Sequence, residues 1–374
     1  MRWPLKRLDQ LGYVSRGRSR HRPRDAVHLY GGPHPFIQTG DIKHAGLYIT
    51  EYQQTYSEAG LEQSRLWPAG TLCITIAANI ADTAVLALDA CFPDSVIGFI
   101  PDEHKADARF MKYLFDASIQ RRVQQFTQGA TQDNLSQEKL LSIEFAVPSV
   151  AEQRRIASIL SAYDDLLENN RRRMALLEQA ARLLYDEWFV RLRFPGHEHA
   201  RIVDGVPEGW ERVPLGDRVT LHYGKALKSD ARADGPYPVY GSSGIVGTHA
   251  KALAAAPGIV VGRKGNVGSV YWCPKDYWPI DTAYFIDAET SDLWLFYALQ
   301  HMHFISTDVA VPGLNRDLAY SRPLLVPEPR VVRDFLKTAV PLHEQITKLD
   351  EMNQKLRAAR DLLLPRLMGG VIEV

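Results

Sequence analysis

Cysteine is the first thing this chain has little of: Cys73, Cys91 and Cys273 are the only three in 374 residues, odd in number and widely separated. That argues against a disulfide framework and against the paired spacing of a zinc site, so no metal is expected on the chain. No stretch approaches the roughly 18 apolar residues of a membrane span. The opening Met-Arg-Trp-Pro-Leu-Lys-Arg-Leu-Asp lacks the apolar core of a secretory signal, so the expected location is the cytoplasm. Neither sign of charge is in excess, since 44 basic side chains meet 44 acidic ones, and the whole-chain balance points to no particular partner. A Gly-x-x-x-x-Gly-Lys-Ser/Thr loop is missing, which argues against a motor of the P-loop kind. What remains is an ordinary globular composition, 45% apolar and 24% charged, with length enough for two or three separately packed domains.

Against these absences stands a repeat. Trp3-Pro4-Leu5 opens the first half and Trp210-Glu211-Arg212-Val213-Pro214-Leu215 the second. Each half continues with a Gly-led apolar strand pair, residues 70–100 and 258–286, in which Phe92-Pro93 and Trp278-Pro279 mark the same place and Phe-Ile follows in both. A helical stretch comes next ("ARFMKYLFDASIQRRVQQF" and "LWLFYALQHMHFIS"), then a polar loop with glycine ("QGATQDNL" and "PGLNRDL"), then a short apolar strand ("SIEFAVP" and "RPLLVP"). Internal repetition at this scale means one architecture used twice.

A long helix follows each half. In the first, Ser149 and Glu152 have capping-box spacing, and Ile156, Leu160, Tyr163, Leu167, Met174, Leu177, Ala181, Leu184 and Trp188 alternate by four and three, broken only at Asn170. In the second, Leu342, Leu349, Leu356 and Leu363 recur every seven residues, with Ile346, Met352 and Ala359 beside them. Burying one leucine is worth roughly 1.5–3 kcal/mol, so neither stripe stays in water and each is the other's nearest partner. With the order unit, helix, unit, helix, the pair is expected to run antiparallel, with the globular units at opposite ends of a shared rod.

At these residues the chain resembles a known family. The Pro148-x-x-x-Glu152-Gln153-x-x-Ile156 helix start with its continuation to Phe189, the strand pair "GRKGNVGSVYW" and the ending "RAARDLLLPRLMGGVIEV" are similar to the specificity subunit of type I restriction-modification systems, and the likeness spans essentially the whole chain. The resemblance implies an α+β fold with a pseudo-two-fold repeat: target-recognition domains at 1–147 and 193–336, each mixed and strand-rich, with spacer helices at 148–192 and 337–374. It implies a non-catalytic subunit that reads a bipartite, asymmetric site on double-stranded DNA. Implied partners are two methyltransferase subunits and two restriction subunits, with S-adenosylmethionine, ATP and magnesium on those partners and no cofactor on this chain. One departure is visible: "PLHEQITKLDEM" begins the second helix pattern, with one residue fewer between Pro341 and Glu344 than between Pro148 and Glu152.

DNA contact calls for cations on phosphates and for amide or guanidinium groups on base edges. Arg16, Arg18, Arg20, Arg22 and Arg24 form a run with no acidic residue before Asp25, read as a contact to the phosphate backbone, with a solvated basic loop as the alternative. Lys225 and Lys228 hold a comparable place in the second half. Arg263, Lys264 and Asn266 lie in a Gly-rich turn between strands, which is either a contact or a plain hairpin. Gln132, Asn134, Asn315 and Arg316 are base-reading types in polar loops where ordinary turn roles are as common. Trp278, Tyr284, Trp294 and Tyr297 have spacing and apolar neighbours that favour core packing over base stacking.

An enzyme is the competing reading. No Asn/Asp-Pro-Pro-Tyr/Phe loop is present to hold a flipped base. Pro93-Asp94 with Glu103-His104-Lys105 fits the loose pattern of a metal-dependent nuclease, but the repeat places Ile280 and Ser291 where Asp94 and Lys105 stand. His301-x-His303 is a weak metal pair. A coiled-coil scaffold whose end domains bind proteins is the third alternative.

Overall fold

The computed structural model describes residues 3–21, 23–77, 80–127, 136–302, 304 and 313–374. It divides into two compact units, Met1–Arg171 with Glu351–Val374, and Arg172–Asp350.

The first unit is built on a five-stranded sheet. Its strands are β1 (Gly12–Arg16), β2 (Tyr48–Ile49), β3 (Leu72–Thr75), β4 (Thr83–Leu86) and β5 (Val96–Pro101), in the order β1-β5-β3-β4-β2. Only the β2–β4 pair is parallel. Side chains alternate across a strand, and here both faces are buried. Leu72, Ile74, Ile97 and Phe99 face helix α1 (Ala108–Thr127), while Cys73, Ala84, Leu86 and Val96 face Trp67 and Phe92, whose rings stack at 4.8 Å.

The second unit repeats this plan with four strands, β6 (His222–Tyr223), β7 (Gly258–Gly262), β8 (Val270–Cys273) and β9 (Ala283–Ile286), ordered β6-β9-β7-β8 and all antiparallel. Ile259 and Val261 face helix α3 (Leu293–His301), and Val260 faces Tyr240, Cys273 and Tyr277. Gly17 and Gly224 close the correspondence. A Cβ on Gly17 would sit 2.4 Å from the carbonyl oxygens of Phe92 and Pro93, and one on Gly224 would sit 2.1 Å from that of Ile280 and 2.7 Å from that of Pro279. The next residue donates its N–H to the same segment in each case, Arg18 to Phe92 and Lys225 to Pro279. The Phe-Pro and Trp-Pro pairs are therefore the walls against which each first strand is laid.

The long helices are α2 (Val150–Tyr185, continued by a π-helical turn over Asp186–Val190) and α5 (Pro329–Met368); α4 (Arg316–Tyr320) is a short helix between them. Ser149 Oγ accepts from the Glu152 N–H at 3.3 Å, which caps α2. Gln153 is fully buried: its amide donates to the carbonyls of Lys105 and Pro148 and accepts from the Asp107 N–H, each at 3.0 Å. In the first unit Ile156, Leu160 and Leu167 are buried, Tyr163 is half-buried, and Leu356 and Leu363 on α5 are half-buried near the buried Leu367. In the second unit Leu184 and Leu342 pack on a core containing Ala181, Tyr185, Phe335 and Ala339, Leu349 is buried, and Leu177 is half-buried. Rising numbers on α2 meet falling numbers on α5 within each unit, so the paired segments are antiparallel.

Two seam readings need correcting. Asn170 does not interrupt the seam: it is 4% exposed, and its amide nitrogen donates to Asn353 Oδ1 at 2.9 Å, with Asn353 1% exposed. Met352, expected beside the leucines, is instead 45% exposed, because the inward position belongs to its neighbour. A polar pair satisfies itself in the interior, whereas a lone asparagine there would leave its amide unbonded.

His343 on α5 is enclosed by Trp272, Phe296 and Tyr297, and burial pulls its pKa from the usual 6.5 down to about 4. The unfolded chain therefore takes up this proton first as pH falls. Stability is unaffected above pH 6.5 and declines from there toward pH 4, by about 1–2 kcal/mol at pH 5. Urea midpoints at pH 7 and pH 5 should show the loss, and His343→Gln should flatten this part of the slope.

Candidate nucleic-acid interface

The second unit gathers its cations around one tyrosine. Tyr223 ends β6 opposite Tyr284 and is 51% exposed, although an exposed ring on a strand end gains little from packing. Arg263 leaves the end of β7 with its guanidinium carbon 5.0 Å from the Tyr223 ring centroid and 5.6 Å from that of Tyr284. Its backbone N–H and that of Lys264 both donate to the Thr282 carbonyl, at 2.9 and 3.0 Å. Arg316, the first residue of α4, lies with its guanidinium carbon 5.2 Å from the same Tyr223 ring and 5.9 Å from Tyr320. The two cationic segments are stitched together: Leu314 N–H donates to the Arg263 carbonyl at 2.8 Å, Lys264 bridges to Gly313, and Tyr284 Oη donates to the Leu314 carbonyl at 3.1 Å.

Among the described residues, none of Arg263, Lys264 and Arg316 is in an ion pair. Guanidinium groups over aromatic faces gain about 0.5–1 kcal/mol at exposed sites. That holds the arginines in place and leaves their charge available to an anion. Asn315 is already in use, its Oδ1 capping α4 by accepting from Asp317 and Leu318 N–H at 2.7 and 3.4 Å. Asn266 lies in the neighbouring turn, its amide 3.4 Å from Ser243 Oγ. Lys225 and Lys228 are exposed; the Lys225 carbonyl accepts from the partly buried Trp278 indole at 2.9 Å. Trp294 and Tyr297 are core residues.

In the first unit the basic run behaves differently. Arg16 donates from Nε to the Asp94 carbonyl at 2.9 Å, and Arg24 forms an ion pair with the Asp94 carboxylate at 3.0 Å. Arg18 and Arg20 are exposed, with their backbones tied to the Ser64 hydroxyl and the Gln63 amide oxygen. Arg22, Gln132 and Asn134 lie outside the described residues. The cation–aromatic arrangement recurs nearby: the Arg65 guanidinium carbon sits 4.8 Å from the centroid of the half-exposed Tyr13 ring and 4.2 Å from that of Trp67, and Arg65 donates to Tyr13 Oη at 2.7 Å. Ser15 and the Arg65 guanidinium hold the Tyr13 phenol below its usual range. Tyr13, Arg65 and Tyr223 are absent from the candidates drawn from sequence. The available signal was an aromatic residue on a strand leading to Gly-Arg or Gly-Lys, four residues before Gly17-Arg18 in one half and directly before Gly224-Lys225 in the other.

Catalytic parts do not converge on the nuclease-like residues. Asp94 pairs with Arg24, Lys105 pairs with Asp102 at 2.8 Å, and the Glu103 and Lys105 carbonyls accept from Arg154 and Gln153 of α2. This loop joins the sheet to the helix. Among the described residues no group of three or more His, Cys, Asp and Glu side chains is placed to hold a metal ion. His301 pairs with Asp186 at 2.6 Å, and His303 lies outside the described residues. All three cysteines are buried, which pushes their thiols up and away from the reactive thiolate form. No helix among the described residues is long and apolar enough to cross a membrane.

Comparison with known proteins bears on the family and the fold. Residues 2–179 and 207–316 match the family described as the type I restriction modification DNA specificity domain. The type I restriction enzyme MjaIX specificity subunit of Methanocaldococcus jannaschii is 23% identical over 409 aligned residues, covering 100% of this chain and 94% of that protein. A putative MjaX specificity subunit of the same organism is 25% identical over 120 residues, 31% of this chain and 28% of its own length. In fold, the chain is similar to the crystal structure of the type I restriction-modification system S subunit from M. genitalium, with a TM-score of 0.63 at 18% identity and coverage of 98% of this chain and 96% of that one.

Proposed function

This chain belongs to the type I restriction modification DNA specificity family, and from that premise we propose how it selects its sites. It is a DNA-recognition subunit rather than the catalytic member of its system. Each unit reads one short block of bases. Because the two units differ in sequence, the full site is asymmetric and interrupted by bases that neither unit reads. B-DNA turns over about 34 Å, so the helices that follow the units fix which face of the duplex each one meets and hence the length of the gap.

The observation that carries this reading is the Arg263–Tyr223–Arg316 cluster, where two cations with no carboxylate partner among the described residues lean on an exposed ring at a strand end. Clustered, unneutralised arginines are the electrostatic footprint of a polyanion partner, and an accessible aromatic face beside them suits sugar or base contact. Arg18, Arg20, Lys225, Lys228, Lys264 and Asn266 extend the contact as phosphate or base-edge partners. The chemistry resides in the rest of the complex: two methyltransferase subunits carrying S-adenosylmethionine and methylating adenine, and two restriction subunits using ATP and magnesium, all in the cytoplasm. The chain itself carries no cofactor.

The test is reconstitution. Alone, the chain should leave DNA unmodified; mixed with its methyltransferase partner, it should direct methylation to one interrupted sequence. Cleavage by the chain with magnesium alone would establish the nuclease instead. Methylation indifferent to sequence, with no sequence-dependent DNA binding, would establish the scaffold.

A further inference from the structure

The two long helices carry different chemistry at the same place. Asp164 on α2 and His343 on α5 each stand sixteen residues beyond the proline of a Val-Pro pair, Val147-Pro148 and Val326-Pro327, that ends the last strand of a unit. Each receives the hydroxyl of a tyrosine from the helix that covers its own unit's sheet. Tyr113 of α1 donates to Asp164 Oδ2, and Tyr297 of α3 shares a hydrogen bond of 2.7 Å with His343 Nε2. The surroundings then diverge. The other oxygen of Asp164 accepts from Arg360 of α5, giving a charged three-residue link, whereas His343 sits among Trp272, Phe296 and Tyr297 and has no ionic partner among the described residues. Trp272 belongs to strand β8 and Tyr297 to α3, so sheet, covering helix and long helix all meet at His343.

We propose that Asp164 and His343 are positioning residues, each taking a tyrosine hydroxyl from its own unit and so fixing the angle at which that unit is held on the helix that follows it. Apolar packing alone sets depth well and angle poorly, because leucine and phenylalanine surfaces can slide at small cost. A hydrogen bond between one hydroxyl and one partly buried polar partner holds to a narrow range of distance and angle. The proposal rests on the reading that each unit reads its own half-site, and it assigns one lock to each half-site.

The experiment uses the full chain reconstituted with its methyltransferase partner and a pool of duplexes randomised in both half-sites and in gap length. Tyr113→Phe and Asp164→Asn should reduce discrimination at the half-site read by the first unit by about tenfold, the factor that corresponds to one lost hydrogen bond. The other half-site should be untouched. Tyr297→Phe and His343→Gln should do the reverse. A role in folding alone predicts a different pattern, namely lower activity on every duplex with the sequence preferences intact, and that result overturns the proposal. Loss at both half-sites from a single substitution also overturns it. A wild-type complex whose methylated site does not divide into two half-sites sinks the underlying reading. Wild-type half-sites together with variants that leave both unchanged sink the proposal alone.

Discussion

Replacing Arg263 and Arg316 together with alanine should lower affinity for the cognate duplex about a hundredfold or more and abolish discrimination at one half-site only. Each arginine that contacts a base edge is worth about 1–3 kcal/mol, and each phosphate contact contributes about one unit of salt dependence. Both guanidinium groups lean on the exposed Tyr223 ring, and neither bonds to a carboxylate among the described residues. Folding should therefore survive the change, and the double variant's melting temperature should stay within a few degrees of wild type. Arg263→Lys with Arg316→Lys separates charge from shape: lysine keeps the cation but loses the planar fork. That variant should retain most of the salt-dependent affinity and lose the base preference. Titrating the reconstituted methyltransferase complex against matched and mismatched duplexes at two salt concentrations reads both quantities. Unchanged affinity in the alanine pair would remove this cluster from the interface.

The second large effect is expected inside the helix pair. Asn170→Leu alone should destabilise the first unit by about 2–3 kcal/mol, because it leaves the buried Asn353 amide without its partner. Asn353→Leu should cost a similar amount. The double substitution Asn170→Leu with Asn353→Leu should recover most of the loss, since two leucines facing each other replace a polar pair that stabilises little beyond its own desolvation. Denaturant midpoints of the four chains form a double-mutant cycle, and a coupling near zero would show that the two asparagines act independently. The double variant also reveals what the pair is for. Buried asparagines in paired helices specify register at some cost in stability, so the recovered chain should methylate a wider range of gap lengths than wild type.

The asparagine pair also marks where sequence reasoning stopped. The long helices were legible because a four-three apolar alternation has one structural meaning over many turns, and the doubling of the globular halves was legible because Phe92-Pro93 and Trp278-Pro279 pin equivalent backbone positions. Asn170 read as a flaw because its partner lies 183 residues away and Asn353 follows a methionine that fits the apolar pattern better. Gln153 appeared as one letter of a helix start, yet its amide joins three backbone groups of the loop at 105–107 and the strand end at Pro148, contacts that no spacing rule reveals. In the interface, charge alone drew attention to Arg263 and Arg316 but also to Arg24, whose ion pair with Asp94 joins two segments 70 residues apart. Tyr223 is one of sixteen tyrosines, and what sets it apart is the pair of arginines over its exposed ring, a contact made across the fold that residue type does not reveal.

The most direct test of the whole account is an exchange. Residues 1–146 are replaced with the corresponding segment of another family member, the chimera is expressed with its methyltransferase partner, and methylated adenines are mapped across a genome. The division of labour described above predicts one new half-site, the other retained, and the same gap between them. A map in which both half-sites change, or in which neither does, contradicts it.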